Sequence, residues 1–379
     1  MSLALATLIY EWRRYLAAII ALSVAGLLVL ALTGMFAGMV RSFTATVERS
    51  PAEVMVLPAD ADNLFANNAG LPRRLVPEIY RDPEVDEVQP LNFGFTSWSN
   101  FPRDGQPEKS TGVQLIILDP TPGSVSLPSD FGPGLIEALR EPFAVVVDRS
   151  SLGKLGVGEG DKAKMNGFEV RVAGLTSGYP SMFNAMVFLS RRTAELLRVF
   201  NDGPRVGALV VKLHDAGAAP RVAAELNTMS HGQYRAWVRE QLARVTQKSM
   251  LREGGIAVMV GFAVVVGAFI GIVITWQTLQ GAILANIKEF ASLRALGVSM
   301  HSLRLVVMEL SCWIGIAGLG LTAGLAGLVW LLAQASGVPM DFPLFIDIPV
   351  AVSLLAIAIL AGALSLRILK KSQPADLLR

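Results

Sequence analysis

Residues Tyr15–Val40 read YLAAIIALSVAGLLVLALTGMFAGMV, 26 positions without a charge. A helix needs about 20 mostly apolar residues to cross a bilayer. A charge near the bilayer centre costs roughly 2.5–3.5 kcal/mol on insertion scales. The stretch therefore predicts a spanning helix. Three further uncharged runs share its character: Gly254–Ile287 with 34 residues, Leu310–Met340 with 31 and Ile348–Leu366 with 19. Polar residues around Gln277–Gln280 mark the expected exit of the second run. Arg13 and Arg14 precede the first run as the charged region of a signal peptide would. A signal core spans only about 7–15 residues, however, so this longer run reads as an uncleaved anchor.

Orientation follows from Lys and Arg near the helix ends. Arg13 and Arg14 precede the first helix. Lys288, Arg294 and Arg304 lie between the second and third, and Arg367, Lys370, Lys371 and Arg379 follow the fourth. The segment near Ser336–Pro349 has no Lys or Arg but carries Asp341 and Asp347. Four crossings place all three basic segments on one side. The expected fold class is thus membrane α-helical, with four transmembrane helices in a 1+3 arrangement. A large extracytoplasmic α+β domain is expected between helices 1 and 2. The boundaries are a cytoplasmic segment 1–14, helix 15–40, an external domain 41–253, helix 254–280 and a cytoplasmic loop 281–303. Helix 304–333, a short external loop 334–347, helix 348–367 and a cytoplasmic tail 368–379 complete the chain.

Composition agrees: hydrophobic residues make up 52% and charged residues 17%, with a mean hydropathy of +0.49. An ordinary soluble domain carries about 25% charged residues. No basic block or basic–aromatic run points to nucleic acid. Cys312 is the one cysteine, so no intrachain disulfide is available, and its apolar surroundings make it a small buried hydrophobe. Gly34/Gly38, Gly267/Gly271 and Gly320/Gly324 are Gly-xxx-Gly pairs. Such spacing lets helix backbones approach closely, so these six are helix-packing candidates. A dimer seam and the general abundance of glycine in membrane helices are both open readings.

Within the external segment, β-like runs bounded by turn residues cover Glu53–Leu57, Gly112–Leu118, Phe143–Asp148, Phe168–Ala173, Ala185–Leu189 and Val206–Leu213. Leu71–Tyr80, Arg191–Phe200, Ala218–Met229 and Gln233–Met250 are helical candidates. The last would continue as a stalk into the second membrane helix. Separate strands and helices suggest an α+β domain. His214 and His231 lack metal-ligand spacing, and Ser150 and Ser151 sit in no Gly-x-Ser-x-Gly elbow. No catalytic residues, bound cofactor or metal are expected, and the chain reads as a non-enzyme.

Between the second and third helices, Ile283, Ile287, Phe290 and Leu293 recur at helical spacing. Gly297 suits a helix end, and Ser299 suits the cap of the next helix. A short amphipathic helix follows, either lying at the membrane face or docking a soluble partner. No Gly-x-x-x-x-Gly-Lys-Ser/Thr loop occurs, so ATP energy would have to come from a separate chain.

Lys288-Glu-Phe-Ala-Ser-Leu-Arg-Ala-Leu-Gly-Val-Ser299 resembles the signature loop of the FtsX-like/MacB-like ABC transporter permeases. The tail Lys371-Ser-Gln-Pro-Ala-Asp-Leu-Leu-Arg379 resembles that family's ending. Phe143-Ala-Val-Val-Val-Asp148, Leu155-Gly-Val-Gly-Glu-Gly-Asp-Lys162 and Phe168–Leu175 resemble its periplasmic core domain. With no fused ATPase, the chain is similar to the free-standing DevC/HrtB-type permeases of the type VII ABC superfamily. The resemblance implies a bacterial inner-membrane permease with both termini cytoplasmic, paired with a second copy as a homodimer. It implies a separate ATPase that binds ATP and Mg. Lys288, Glu289, Phe290, Leu293, Arg294, Leu296 and Gly297 would form the coupling loop that meets this ATPase. A periplasmic adaptor and an outer-membrane channel are further candidate partners. The implied role is export or efflux by mechanical transmission. The alternative is an FtsX-like signalling scaffold controlling an extracytoplasmic cell-wall hydrolase. The membrane runs lack the charges of an ion pathway, and Glu309, near the start of helix 3, reads as interfacial.

Overall fold

Unbroken apolar runs give long helices, and short apolar runs punctuated by Gly, Pro and Asp give strands. A computed structural model describes residues 3–65, 70–102, 108–181, 184–200, 203–253, 256–285, 299–336, 338 and 340–371. In chain order its elements begin with α1 (Leu3–Tyr10), α2 (Trp12–Glu48), β1 (Val54–Pro58), β2 (Leu71–Pro72), α3 (Leu75–Ile79), β3 (Val85–Asn100) and β4 (Ser110–Leu118). They continue with α4 (Pro133–Arg140), β5 (Ala144–Asp148), α5 (Leu152–Leu155), β6 (Lys162–Met165), β7 (Phe168–Thr176), β8 (Ala185–Ser190) and α6 (Arg191–Leu196). Then come β9 (Arg205–Val206), β10 (Ala208–Leu213), α7 (Ala219–Met229), β11 (Tyr234–Val238), α8 (Arg239–Glu253), α9 (Ile256–Ala285), α10 (Met300–Ala335) and α11 (Leu344–Lys371). The chain divides into two units. One comprises 1–37, 256–332 and 340–379, and the other 38–255 with 333–339.

The second unit is an α+β domain. Nine strands form one sheet in the order β11-β1-β10-β3-β4-β8-β5-β7-β6. β6 pairs back onto β3, so six of the strands close into a ring. β4–β8 and β5–β7 are parallel, and the other pairings in this sheet are antiparallel. β1, β5, β8 and β10 are apolar on both faces because both faces are covered, whereas β6 and β7 alternate buried and exposed residues. Val54 and Val56 of β1 join α3 and α7 in one core. Val113, Leu115 and Ile117 of β4 join Val145 and Val147 of β5 in another, inside the ring. The alternate residues Met55, Leu57, Ile116, Leu118, Val146 and Val210 all point into a third core, which runs across both halves of the sheet.

Two expectations for this domain need correction. Gln233–Met250 is not one helix: Tyr234–Val238 is β11, paired along β1, and α8 begins only at Arg239. Tyr234 and Ala236 face one core and Trp237 the opposite one, which is strand periodicity. Leu71–Tyr80 likewise opens with a short strand before a helix of five residues. The sequence reading also missed β3, the 16-residue strand common to both halves. Pro90 sits in the part of β3 that pairs β10, ahead of Asn92, where pairing with β4 begins. There β3 is locally an edge, and a proline is tolerated.

The first unit is a helical bundle whose α2, α9, α10 and α11 are each long and apolar enough to span a membrane. Tyr15 and Ala18 of α2 meet Leu279, Ile314 and Ala361 from the other three helices. Leu22, Leu354 and Ala358 form a second cluster. Ser299 caps α10, its Oγ accepting from the Ser302 N–H at 3.2 Å, as its position in the sequence predicts.

Candidate functional site where two helices meet the α+β domain

The α2 helix stops at Glu48 because Ser50 precedes Pro51, which disfavours helical geometry for the residue before it. Its last turns bring Ala45 and Val47 into the core shared by both halves of the sheet. Leu242 of α8 enters the same core. The two helices are tied together at their sheet ends. Arg239 donates from its guanidinium to Ser50 O at 3.0 Å, and its N–H donates to Glu53 O at 2.9 Å. Two turns further along α8, Thr246 Oγ1 donates to Asp62 O at 3.1 Å.

Arg49 is the centre of a second tie. Its Nη1 donates to Asp130 Oδ2 and to Ser177 O, both at 2.7 Å. Its guanidinium carbon lies 4.6 Å from the centroid of the Tyr179 ring. Tyr179 Oη donates to the other oxygen of Asp130 at 2.7 Å, and the Tyr179 N–H donates to Asp148 Oδ2 at 2.8 Å. Burial, then the hydrogen bond to Asp130, pushes the Tyr179 phenol well above its ordinary range. The ring therefore stays neutral and donating. Gly178, with φ of +93°, leaves room for Arg49: a Cβ there would overlap the guanidinium. Charge-assisted bonds and a cation–π contact thus converge on one residue at the end of α2. No motif announced this cluster, since Arg49 and Asp130 are 81 residues apart.

The coupling-loop residues Lys288, Glu289, Phe290, Leu293, Arg294, Leu296 and Gly297 lie outside the described residues. Glu309 is half-buried in the third turn of α10. Gly34 accommodates the 341–342 segment: a Cβ would stand 2.7 Å from Phe342, and the Asp341 N–H donates to Gly34 O at 3.0 Å. Gly267 and Gly271 of α9 face Ala25 of α2 within the same chain. Gly38 accepts a 3.0 Å bond from Ser42 Oγ. Gly320 and Gly324 meet nothing within 4 Å among the described residues. The tightest helix contacts fall on glycines outside those pairs. A Cβ at Gly318 would lie 2.7 Å from Leu22, and one at Gly26 would lie 2.6 Å from Leu354. Ser23 Oγ donates to Gly318 O at 3.1 Å beside them.

The family model for the MacB-like periplasmic core domain matches residues 15–229, and that for the FtsX-like permease C-terminal matches 261–374. The chain belongs to the FtsX/MacB-like ABC permease family. This type VII permease family is generally non-catalytic and works with a separate ATPase, and its members are multi-pass membrane proteins. The permease is similar to the periplasmic region of MacB from Actinobacillus actinomycetemcomitans, at 13% identity and TM-score 0.34, over 52% of this chain and 94% of that one. It is also similar to the extracellular domain of the noncanonic ABC-type transporter YknZ from Gram-positive bacteria. There the identity is 15% and the TM-score 0.32, over 49% of this chain and 98% of that one. No curated protein matches the permease significantly.

Proposed function

We propose that this permease is the non-catalytic subunit of an ABC export system, passing the motion of a separate ATPase to its α+β domain. The observation that carries the reading is the convergence of α2 and α8 on one core. Ala45, Val47 and Leu242 pack against strands from both halves of the sheet, and Arg49 and Arg239 fasten the helix ends. A displacement of either helix end would move the sheet as a body, because packed cores transmit strain rather than absorb it. In this reading the α+β domain is extracytoplasmic, both termini and the Lys288–Ser299 segment are cytoplasmic, and two copies of the chain act together. In this reading ATP and Mg reside on the partner ATPase.

Changing Leu293 and Arg294 together to Asp tests the coupling loop. The double variant is expected to insert normally in the membrane but to lose co-purification of the ATPase. Normal ATPase association in that variant overturns the docking assignment. Co-purification with the native chain also separates the two functional readings. An adaptor or lipid-like cargo alongside the ATPase supports export, whereas a cell-wall hydrolase in their place supports the signalling scaffold.

A further inference from the structure

Within the helical bundle, α2, α10 and α11 leave a cavity of about 340 Å³. That lies within the usual range of small-molecule sites, about 300–1,000 Å³. Its walls are apolar: Leu30 from α2, Ala326 and Trp330 from α10, and Val350 and Leu354 from α11. Phe342, held against Gly34, contributes a further apolar wall. Two polar side chains line it. Thr322 already donates its hydroxyl to Gly318 O at 2.8 Å. Asp347 is different: its Oδ1 is shut off from solvent and has no hydrogen-bond partner among the described residues.

A carboxylate on so apolar a wall is costly unless something donates to it. Among the described residues, no Lys, Arg or His lines the cavity. Asp341 adds a second negative charge nearby. The walls therefore select an apolar body, and the Asp347 carboxylate on the lining, with no cation beside it among the described residues, selects a cationic head attached to that body. An anionic head such as a phosphate or sulfate would meet like charge and is rejected.

We propose that this cavity binds a lipophilic ammonium, with its chain among Ala326, Trp330 and Leu354 and its head donating to Asp347. This goes beyond the proposed coupling role and is independent of it, because the site needs no ATPase. The test uses the full chain in phosphatidylcholine nanodiscs, with labelled dodecylamine as probe and empty nanodiscs subtracted. Saturable binding is expected, with dodecyl sulfate and dodecanol failing to compete. Asp347→Asn should weaken the amine by about tenfold or more, the scale of one charge-assisted hydrogen bond. Ala326→Phe, which keeps the carboxylate but fills the cavity, should abolish binding. Size-exclusion profiles establish that each variant is folded. Should Asp347→Asn fail that check, Ala326→Phe decides the matter alone. Non-saturable binding by the native chain overturns the proposal. Undiminished binding by either folded variant, or equal competition by dodecyl sulfate or dodecanol, overturns it too.

Discussion

The α+β domain and the helical bundle bury apolar side chains to different extents. In the domain, Val145, Val146 and Val147 in β5 and Phe188 in β8 are fully buried. In the bundle, Phe262, Val265 and Phe269 along α9 are each 68% exposed. The solvent explains the contrast. Water rewards burial at roughly 25 cal/mol per Å² of apolar surface. Lipid is as apolar as leucine and rewards only close fit and hydrogen bonds between helices. The bundle accordingly joins at small residues: Gly26, Gly318, Ser23 and Thr322 between α2 and α10, and Ser311 against Gly362 between α10 and α11. One residue type thus carries different weight in the two regions, and substitutions can measure that weight.

The largest effect is expected at Phe188. Its ring meets Tyr179 edge-on at 4.9 Å and Phe131 at 5.2 Å, in the core shared by both halves of the sheet. Phe188→Ala removes a fully buried ring and should destabilise the domain by about 3–5 kcal/mol. Hydrogen exchange in β5 and β8 should quicken accordingly, while exchange in α9–α11 stays unchanged. A loss below about 1 kcal/mol would mean that this core is not packed as described.

In the bundle the sensitive direction is reversed, from small to large. Gly318→Leu would drive a side chain into Leu22 and part α2 from α10, with an expected loss of about 1–3 kcal/mol. Gly324→Leu, six residues along the same helix and open on that side, should leave the stability of the single chain nearly unchanged. Thermal midpoints of the two variants in detergent make the comparison. Equal midpoints would dismiss the glycine seam between α2 and α10.

These contacts also mark where the sequence was readable. Four charge-free runs are a signal of length and composition, and neither depends on what the helices touch. The strands of the domain were legible wherever apolar residues run unbroken, as in Ala144–Asp148 and Ala185–Ser190. β3 was not, because Pro90, Gly94 and its polar residues belong to a strand that changes partners along its length. Tyr234–Val238 reads as helix in the sequence because its strand character rests on pairing with β1, whose Val54 lies opposite Val238. Spacing found Gly-xxx-Gly pairs, yet close approach occurs at Gly318/Thr322 and Ala358/Gly362, where any two small residues serve. The Arg49 cluster has no local signature: Asp130, Ser177 and Tyr179 come from distant loops that only the folded sheet gathers.

That cluster gives the next prediction. Arg49→Met keeps the aliphatic stem but removes the bonds to Asp130 and Ser177 and the cation over Tyr179. Both Arg49 and Asp130 side chains are about one-third exposed at 34%, so screening reduces the loss. A destabilisation of about 1–2 kcal/mol is expected. The coupling role predicts more than this. Transport driven by the ATPase should fall further than stability does, whereas a purely structural tie would lower both in proportion. Arg49→Lys should recover the charge but not the two bonds from one planar group.

The smallest effect is expected at Phe269, and it sharpens the contrast with Phe188. Both are phenylalanines in apolar segments, but Phe269 is 68% exposed on α9 and Phe188 is fully buried. Phe269→Ala removes a ring that lipid solvates as well as protein does, so the chain alone should change by no more than about 0.5 kcal/mol. Val258, Phe262 and Val265 share its exposure along α9. If a second copy of the chain covers this face, the same substitution acts through association, and its effect grows with protein concentration as mass action requires. The thermal midpoint measured across a dilution series in detergent separates the cases. A small shift independent of concentration assigns the face to lipid, and a concentration-dependent shift assigns it to the partner copy.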